Sequence, residues 1–144
     1  MIEAVGDIWD LSKGNSLAIP TNGLTNFRGQ AIMGRGIAKE AKDRYPDIAI
    51  DLGVNLLIAG NRVFDLGQYE DWHIYSFPTK HNWRDKSSID LIKESCIQIV
   101  RYSTGNERIF IGRPGCGNGG LLWEDVKPAI EPLLDDRFII VNKE

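Results

Sequence analysis

Apolar residues in this chain fall into two patterns: short continuous runs, and stripes spaced by three or four residues. The runs Ile2–Val5 and Ser16–Pro20 predict buried strands, the first ending at Gly6-Asp7 and the second at Pro20-Thr21-Asn22-Gly23. Met33, Ile37, Ala41 and Tyr45 recur every four residues and predict a helix that ends before Pro46. Asp47–Ala59 predicts a second helix, with Gly53 inside it. Arg62–Leu66 and His73–Phe77 predict two further strands, a hairpin or near neighbours. Ser87 or Ser88 can cap a helix that carries Ile89, Ile92, Cys96, Ile99 and Val100 on one face. Arg108–Ile111 is a buried-type strand ended by Gly112 and Pro114. Trp123–Leu134 has a helical pattern in which Pro128 fits the first turn and Pro132 predicts a kink, and Arg137–Val141 is a final strand.

Strands alternating with helices predict an α/β fold, with a mixed, mostly parallel sheet covered on both faces. Ligands of such folds bind in the crevice beyond the carboxyl ends of the strands. Four segments leave strand ends here: Gly6-Asp7, Thr21-Asn22-Gly23, Thr79-Lys80-His81, and Arg113 to Leu121.

Composition narrows the picture. The chain has 144 residues, 42% hydrophobic and 26% charged, which is ordinary for a folded domain, and 1–144 is expected to be one domain. No apolar run approaches the ~18–20 residues of a membrane helix, and MIEAVGDIWDL is no leader, so a cytoplasmic, unprocessed protein is expected. The net charge of -3 gives no general grip on a polyanion. Small phosphate-bearing ligands stay open, because they need local donors rather than bulk charge. Cys96 and Cys116 are expected to be free thiols, and with only His73 and His81 beside them no metal-ligand spacing exists.

Glycines cluster at Gly29, Gly34 and Gly36, and again at Gly112, Gly115, Gly117, Gly119 and Gly120. The second cluster follows a strand and precedes a helix. Its backbone N–H groups can converge on phosphate oxygens; a flexible connection is the plain alternative. Gly34-Arg35-Gly36 opens a helix, where small residues let a ligand approach the positive end of the dipole or let the helix pack closely. Asp7 can accept from an exocyclic amine or cap a turn, and Asn22 can meet sugar hydroxyls or shape an Asn-Gly turn. Lys80 follows a strand, with His81 and Arg84 nearby; solvated, it is inert, whereas a neutral amine in the crevice attacks an electrophilic carbon. Trp83 and Trp123 can stack on a ring or pack at the rim, and Cys116, with no acid or base partner, is taken as a space-filling residue.

At these residues the chain resembles a macro domain, the α/β module that binds ADP-ribose, over nearly its whole length. The motifs are Gly6-Asp7-Ile8; Met33-Gly34-Arg35-Gly36-Ile37-Ala38 with Arg44-Tyr45-Pro46; Phe77-Pro78-Thr79-Lys80 with Trp83-Arg84; and Pro114-Gly115-Cys116-Gly117 with Gly120-Leu121 and Trp123. They are most like the branch of the DarG-like DNA ADP-ribosyl glycohydrolases and the terminal ADP-ribose glycohydrolases. The resemblance implies a three-layer α/β/α sandwich. It implies that Asp7 and Ile8 meet the adenine, and that Asn22 and the Met33, Gly34, Arg35, Gly36 and Ile37 turn hold the distal ribose and a phosphate. Gly115, Cys116, Gly117, Asn118, Gly119, Gly120 and Leu121 would wrap the diphosphate, and Lys80 would open the distal ribose.

Three departures bear on that implication. Gly119 stands where one branch carries an Asp, which favours the DarG-like reading; Ile19-Pro20-Thr21-Asn22-Gly23 replaces an Asn-Ala-Ala-Asn signature. The chain also ends after its last strand, so the second domain of full-length antitoxins is not expected. The implied function is a hydrolase that removes mono-ADP-ribose from a nucleobase of DNA or a protein carboxylate, with no cofactor, metal or membrane. The alternatives are a binder of ADP-ribose or a related nucleotide without turnover, and a phosphatase of ADP-ribose 1''-phosphate.

Overall fold

The computed structural model describes residues 1–143. Six strands form one sheet: β1 (Ile2–Val5), β2 (Ser16–Thr21), β3 (Phe64–Tyr69), β4 (Trp72–Pro78), β5 (Ile109–Gly112) and β6 (Phe138–Asn142). Their spatial order is β1-β6-β5-β2-β4-β3; all neighbours are parallel except the β3–β4 hairpin at the edge. Five helices cover it: α1 (Ile8–Ser12), α2 (Gly36–Arg44), α3 (Asp47–Ala59), α4 (Ile89–Tyr102) and α5 (Trp123–Ile130).

The strands are apolar on both sides because both faces are covered. Leu17, Ile19, Phe110, Ile139 and Val141 pack with Ile8, Trp9, Ala38, Ile48 and Leu52 from α1, α2 and α3. Their sequence neighbours Ala18, Ile109, Ile111, Phe138 and Ile140 pack with Ile92, Cys96, Ile99, Val126 and Ile130 from α4 and α5. Alternation along each strand thus splits the interior into two cores, and the fold is the three-layer mixed sandwich.

Several elements differ from the sequence pattern. The five-residue α1 is too short to show a period. It forms because Asp7 Oδ1 accepts hydrogen bonds from the N–H groups of Trp9 (2.9 Å) and Asp10 (3.1 Å). Met33 does not open α2, which starts at Gly36; it is 2% exposed and belongs to the core on the α1–α3 side of the sheet. The third strand lies two to three residues later than Arg62–Leu66, at Phe64–Tyr69, where it meets Trp72–Ser76 in antiparallel register. The last helix stops at Ile130, and Glu131–Leu133 tightens into a 3-10 turn at Pro132. Ser88, not Ser87, caps α4 by accepting from Leu91 N–H.

Gly53 inside α3 has a close-packing reason. A Cβ there would lie 2.0 Å from the Gly29 carbonyl oxygen, and Ala31 N–H donates to the Ala49 carbonyl at 2.8 Å. The 26–31 loop is docked on the bare face of the helix, which brings the following segment to the end of β2.

Candidate active site

Adjacent strands β2 and β5 send their connections to opposite faces: β2 leads to α2 and α3, and β5 leads to α5. The chain parts at their carboxyl ends, which is where an open α/β sheet forms its crevice. A cavity of about 800 Å³ lies there. Its floor is the ends of β2, β4, β5 and β6, and its walls are residues 32–38 and 113–118 with 121–123.

One wall is the N-terminus of α2. Arg35 precedes it in extended conformation, and no side chain caps it. The opening N–H groups of a helix have no intrahelical acceptor, so Gly36, Ile37 and Ala38 present unsatisfied donors to the cavity. Gly36 has φ +59°, which glycine adopts without penalty.

The opposite wall is the glycine turn. Gly115 and Gly117 have φ +77° and +67°, and Gly117–Gly119 is a single 3-10 turn. Leu121 N–H donates to the Gly115 carbonyl at 2.9 Å and closes the loop on itself. The two walls meet at the mouth: a Cβ on Gly36 would stand 3.5 Å from Asn118 Nδ2.

Lys80 reaches the same mouth from β4. The N–H groups of Thr79 and Lys80 donate to the Thr21 carbonyl at 3.0 and 3.4 Å, so the loop leaves β4 tethered to the end of β2. Lys80 Nζ donates to the carbonyl oxygens of Trp83 and Asn118, both at 3.4 Å. These contacts are long and exposed, and they hold the amine at the rim rather than locking it.

The charges around the cavity are one-sided. Arg35, Lys80, Arg113 and Lys143 line it, and no Asp, Glu or His does so among the described residues. Arg113 is held by the face of Trp123, 5.0 Å from the ring centroid, and by Glu3, 4.0 Å away. Glu3 also accepts from Lys127 at 2.7 Å, and that hydrogen bond holds its carboxyl below the usual range. Burial pushes the Cys116 thiol up, against the opposing pull of Arg113, so at neutral pH it stays protonated and weakly nucleophilic. Lys80 is the one amine side chain that the loop after β4 brings to this lining.

Of the residues singled out in the sequence, Asn22, Met33, Gly34, Arg35, Gly36, Ile37, Lys80, Gly115, Cys116, Gly117, Asn118 and Leu121 line the cavity. Asp7, Ile8, Gly119 and Gly120 do not. Asp7 is occupied in capping α1, and it sits beyond β6, where Gly6 N–H donates to the Asn142 carbonyl at 2.9 Å. Ile8 is in the core. Gly119 turns away: a Cβ on it would lie 2.3 Å from Ser87 Oγ, a buried hydroxyl with no hydrogen-bond partner among the described residues. This backbone leaves no room for a carboxylate side chain at 119. Asn22 shapes its own loop, its Nδ2 donating to the Ile32 carbonyl at 3.0 Å and its Oδ1 accepting from Leu24 N–H at 2.9 Å. His81 is exposed and outside the lining. Thr21 and Thr79, in the strand-end segments already singled out, line the cavity too, as do Val141, Asn142 and Lys143, which no sequence motif marked. The strand-end rule applied to β6 would have found the last three.

No family model matches the chain. The DNA ADP-ribosyl glycohydrolase of Mycobacterium tuberculosis is 36% identical over 127 residues, which is 81% of this chain and 36% of that protein. The chain spans little more than a third of the length of the first curated relatives it matches. The macrodomain of Mycobacterium tuberculosis DarG superposes with TM-score 0.73 at 29% identity, covering 99% of each chain. The Thermosipho africanus DarTG structure in complex with ADP-ribose gives TM-score 0.76 at 22% identity over 98% of this chain and 41% of that one. With its six-stranded mixed sheet and its crevice between β2 and β5, the chain has the macro-domain fold and is similar over nearly its whole length to the macrodomain of Mycobacterium tuberculosis DarG.

Proposed function

We propose that this chain binds ADP-ribose in the β2–β5 cavity and hydrolyses the bond that joins mono-ADP-ribose to a nucleobase of DNA. The observation that carries the reading is the charge asymmetry of the cavity: four cations, an uncapped helix N-terminus and a glycine turn face one space with no lining carboxylate among the described residues. A diphosphate is a ligand that such a space stabilises. The names of the relatives support DNA as the attachment, and the volume lies within the ~300–1,000 Å³ of small-molecule sites.

In the proposed reaction, Asn22, Met33 to Ile37, Gly115 to Asn118 and Leu121 hold the diphosphate and distal ribose. Asp7, Ile8, Gly119 and Gly120, outside the lining, can touch only a ligand that overhangs the rim. After giving a proton to solvent, the Lys80 amine attacks C1'' of that ribose. The C1''–nucleobase bond breaks, and the base leaves with the proton given up by the amine. Water then adds at C1'', the C–N bond to Lys80 breaks, and ADP-ribose and the free amine are released. Binding energy from the diphosphate, remote from the reacting carbon, aligns the amine with it.

The reading includes a cytoplasmic setting, which two free thiols suit, and residues 1–144 acting as one domain. The test is incubation with ADP-ribosylated single-stranded DNA, glutamate-linked ADP-ribosyl peptide and ADP-ribose 1''-phosphate, beside calorimetry with ADP-ribose. Release of ADP-ribose from the DNA, abolished in Lys80→Ala, is expected. Binding with no turnover on any substrate selects a binder, phosphate release selects a phosphatase, and release from the peptide alone selects a protein hydrolase.

A further inference from the structure

Beside the cavity lies a second, shallower depression of about 370 Å³, open to solvent, whose outer part the reaction above does not use. It shares Arg35, Lys80, Trp83 and Asn118 with the cavity and extends outward over Arg84, Lys86 and the backbone of Gly119 and Gly120. Four of its side chains are cationic and one, Asp85, is acidic, in a chain whose net charge is -3. Charge is thus segregated to this spot. The floor is open because Gly120 carries no side chain; a Cβ there would stand 3.5 Å from the methylenes of Lys86. Trp83 is 42% exposed, and the Arg84 guanidinium lies 5.0 Å from its ring centroid, so a flat surface and a cation are presented together.

We propose that this shelf holds the single-stranded DNA that flanks the modified nucleotide, with Arg84 and Lys86 on its phosphates and the Trp83–Arg84 pair against a base. The proposal rests on the functional reading, which puts the distal ribose at Lys80. Whatever is joined to C1'' must leave the cavity past that amine, and the surface it meets there is the shelf. A peptide has no regular anionic backbone to set against four cations. A nucleic-acid strand offers the two chemistries it matches, a regular anionic backbone and planar faces that stack on aromatic and guanidinium groups.

The experiment uses Lys80→Ala, in which turnover is blocked, and compares affinity for ADP-ribose with affinity for an ADP-ribosylated ten-nucleotide single strand. At low salt the oligonucleotide is expected to bind roughly tenfold tighter or more, with an advantage that falls as salt rises. Adding Arg84→Ala and Lys86→Ala removes the advantage, leaves the ADP-ribose affinity unchanged, and lowers the salt slope by about 1.4, at ~0.7 per single-strand phosphate contact. Equal affinity for the two ligands, an oligonucleotide affinity indifferent to the double substitution, or the same advantage for a glutamate-linked ADP-ribosyl peptide would each overturn the shelf. If ADP-ribose itself failed to bind, the functional reading would fall with it.

Discussion

The Lys80 amine donates to the backbone carbonyl of Asn118 at 3.4 Å, joining the loop after β4 to the glycine turn after β5. Two segments 38 residues apart in sequence thus close one side of the cavity mouth, and the Ser87 N–H, which donates to the Gly119 carbonyl at 2.9 Å, joins the same two segments.

A role in chemistry differs from a role in holding charge. Lys80→Arg keeps the cation and its donors but removes an amine that can form a covalent bond. Turnover of ADP-ribosylated DNA is expected to fall in Lys80→Arg as far as in Lys80→Ala, by about a thousandfold or more, the scale on which loss of a nucleophile acts. Affinity for ADP-ribose should stay close to that of the unmodified protein. An arginine variant that keeps substantial turnover would assign Lys80 to electrostatics alone.

The glycine turn separates two kinds of glycine. Gly117 has φ +67° with nothing within 4 Å of an added Cβ, so Gly117→Ala carries only left-handed strain, about 1–2 kcal/mol. Gly115 has φ +77°, and its Cβ would lie 2.7 Å from both Ile92 Cδ1 and Leu121 Cδ1, so overpacking of about 1–3 kcal/mol is added. Urea unfolding should show the larger loss for Gly115→Ala.

Gly53→Ala reverses an ordinary rule. Alanine in a helix interior is usually favoured over glycine by about 1 kcal/mol. Here the new methyl would meet the Gly29 carbonyl at 2.0 Å, backbone against helix, so a net loss of about 2 kcal/mol or more is expected. ADP-ribose binding should weaken as well, because the displaced loop leads into the wall at Gly34–Ile37. Stabilisation by Gly53→Ala would contradict this packing.

Glu107 sets an acid limit to stability. Burial works against its carboxylate, but hydrogen bonds from Thr104, Tyr75 and Ser16 outweigh it and hold the group below its usual 4.5. A carboxyl lowered on folding contributes stability that is complete above the unfolded value and lost as pH falls through the folded one. Unfolding free energy should therefore drop below about pH 4.5, with a shallower drop in Glu107→Gln measured against pH.

Both thiols resist modification in the native state. Burial pushes Cys96 up to about 12 and raises Cys116 as well. An aromatic disulfide reagent at neutral pH should label the folded protein slowly, at Cys116 only, and both thiols once it is unfolded.

How much of this was legible varied from element to element. Asp47–Ala59 is bounded as its pattern predicted, since Pro46 and Gly60 punctuate it and its length exceeds any strand. Helix α1 was invisible because five residues carry no period, and the Asp7 cap that forms it read equally well as a ligand contact. Met33 matched the stripe of α2 by spacing alone, while its place outside the helix depends on the sheet beneath it. The lining residues Val141, Asn142 and Lys143 fall in no sequence motif; the position of β6 beside β5 brings them to the cavity.

By itself the sequence determined the layered α/β class, the glycine turn, the helix opening at Gly34–Gly36 and the candidate lysine, because period, punctuation and backbone freedom are local properties. The strand order, and with it the parting of β2 from β5, is a matter of long-range pairing. Only the tertiary structure could therefore decide that the cations gather with no lining carboxylate among the described residues, that Asp7 stands outside the cavity, and that Arg84 and Lys86 continue the surface past Lys80.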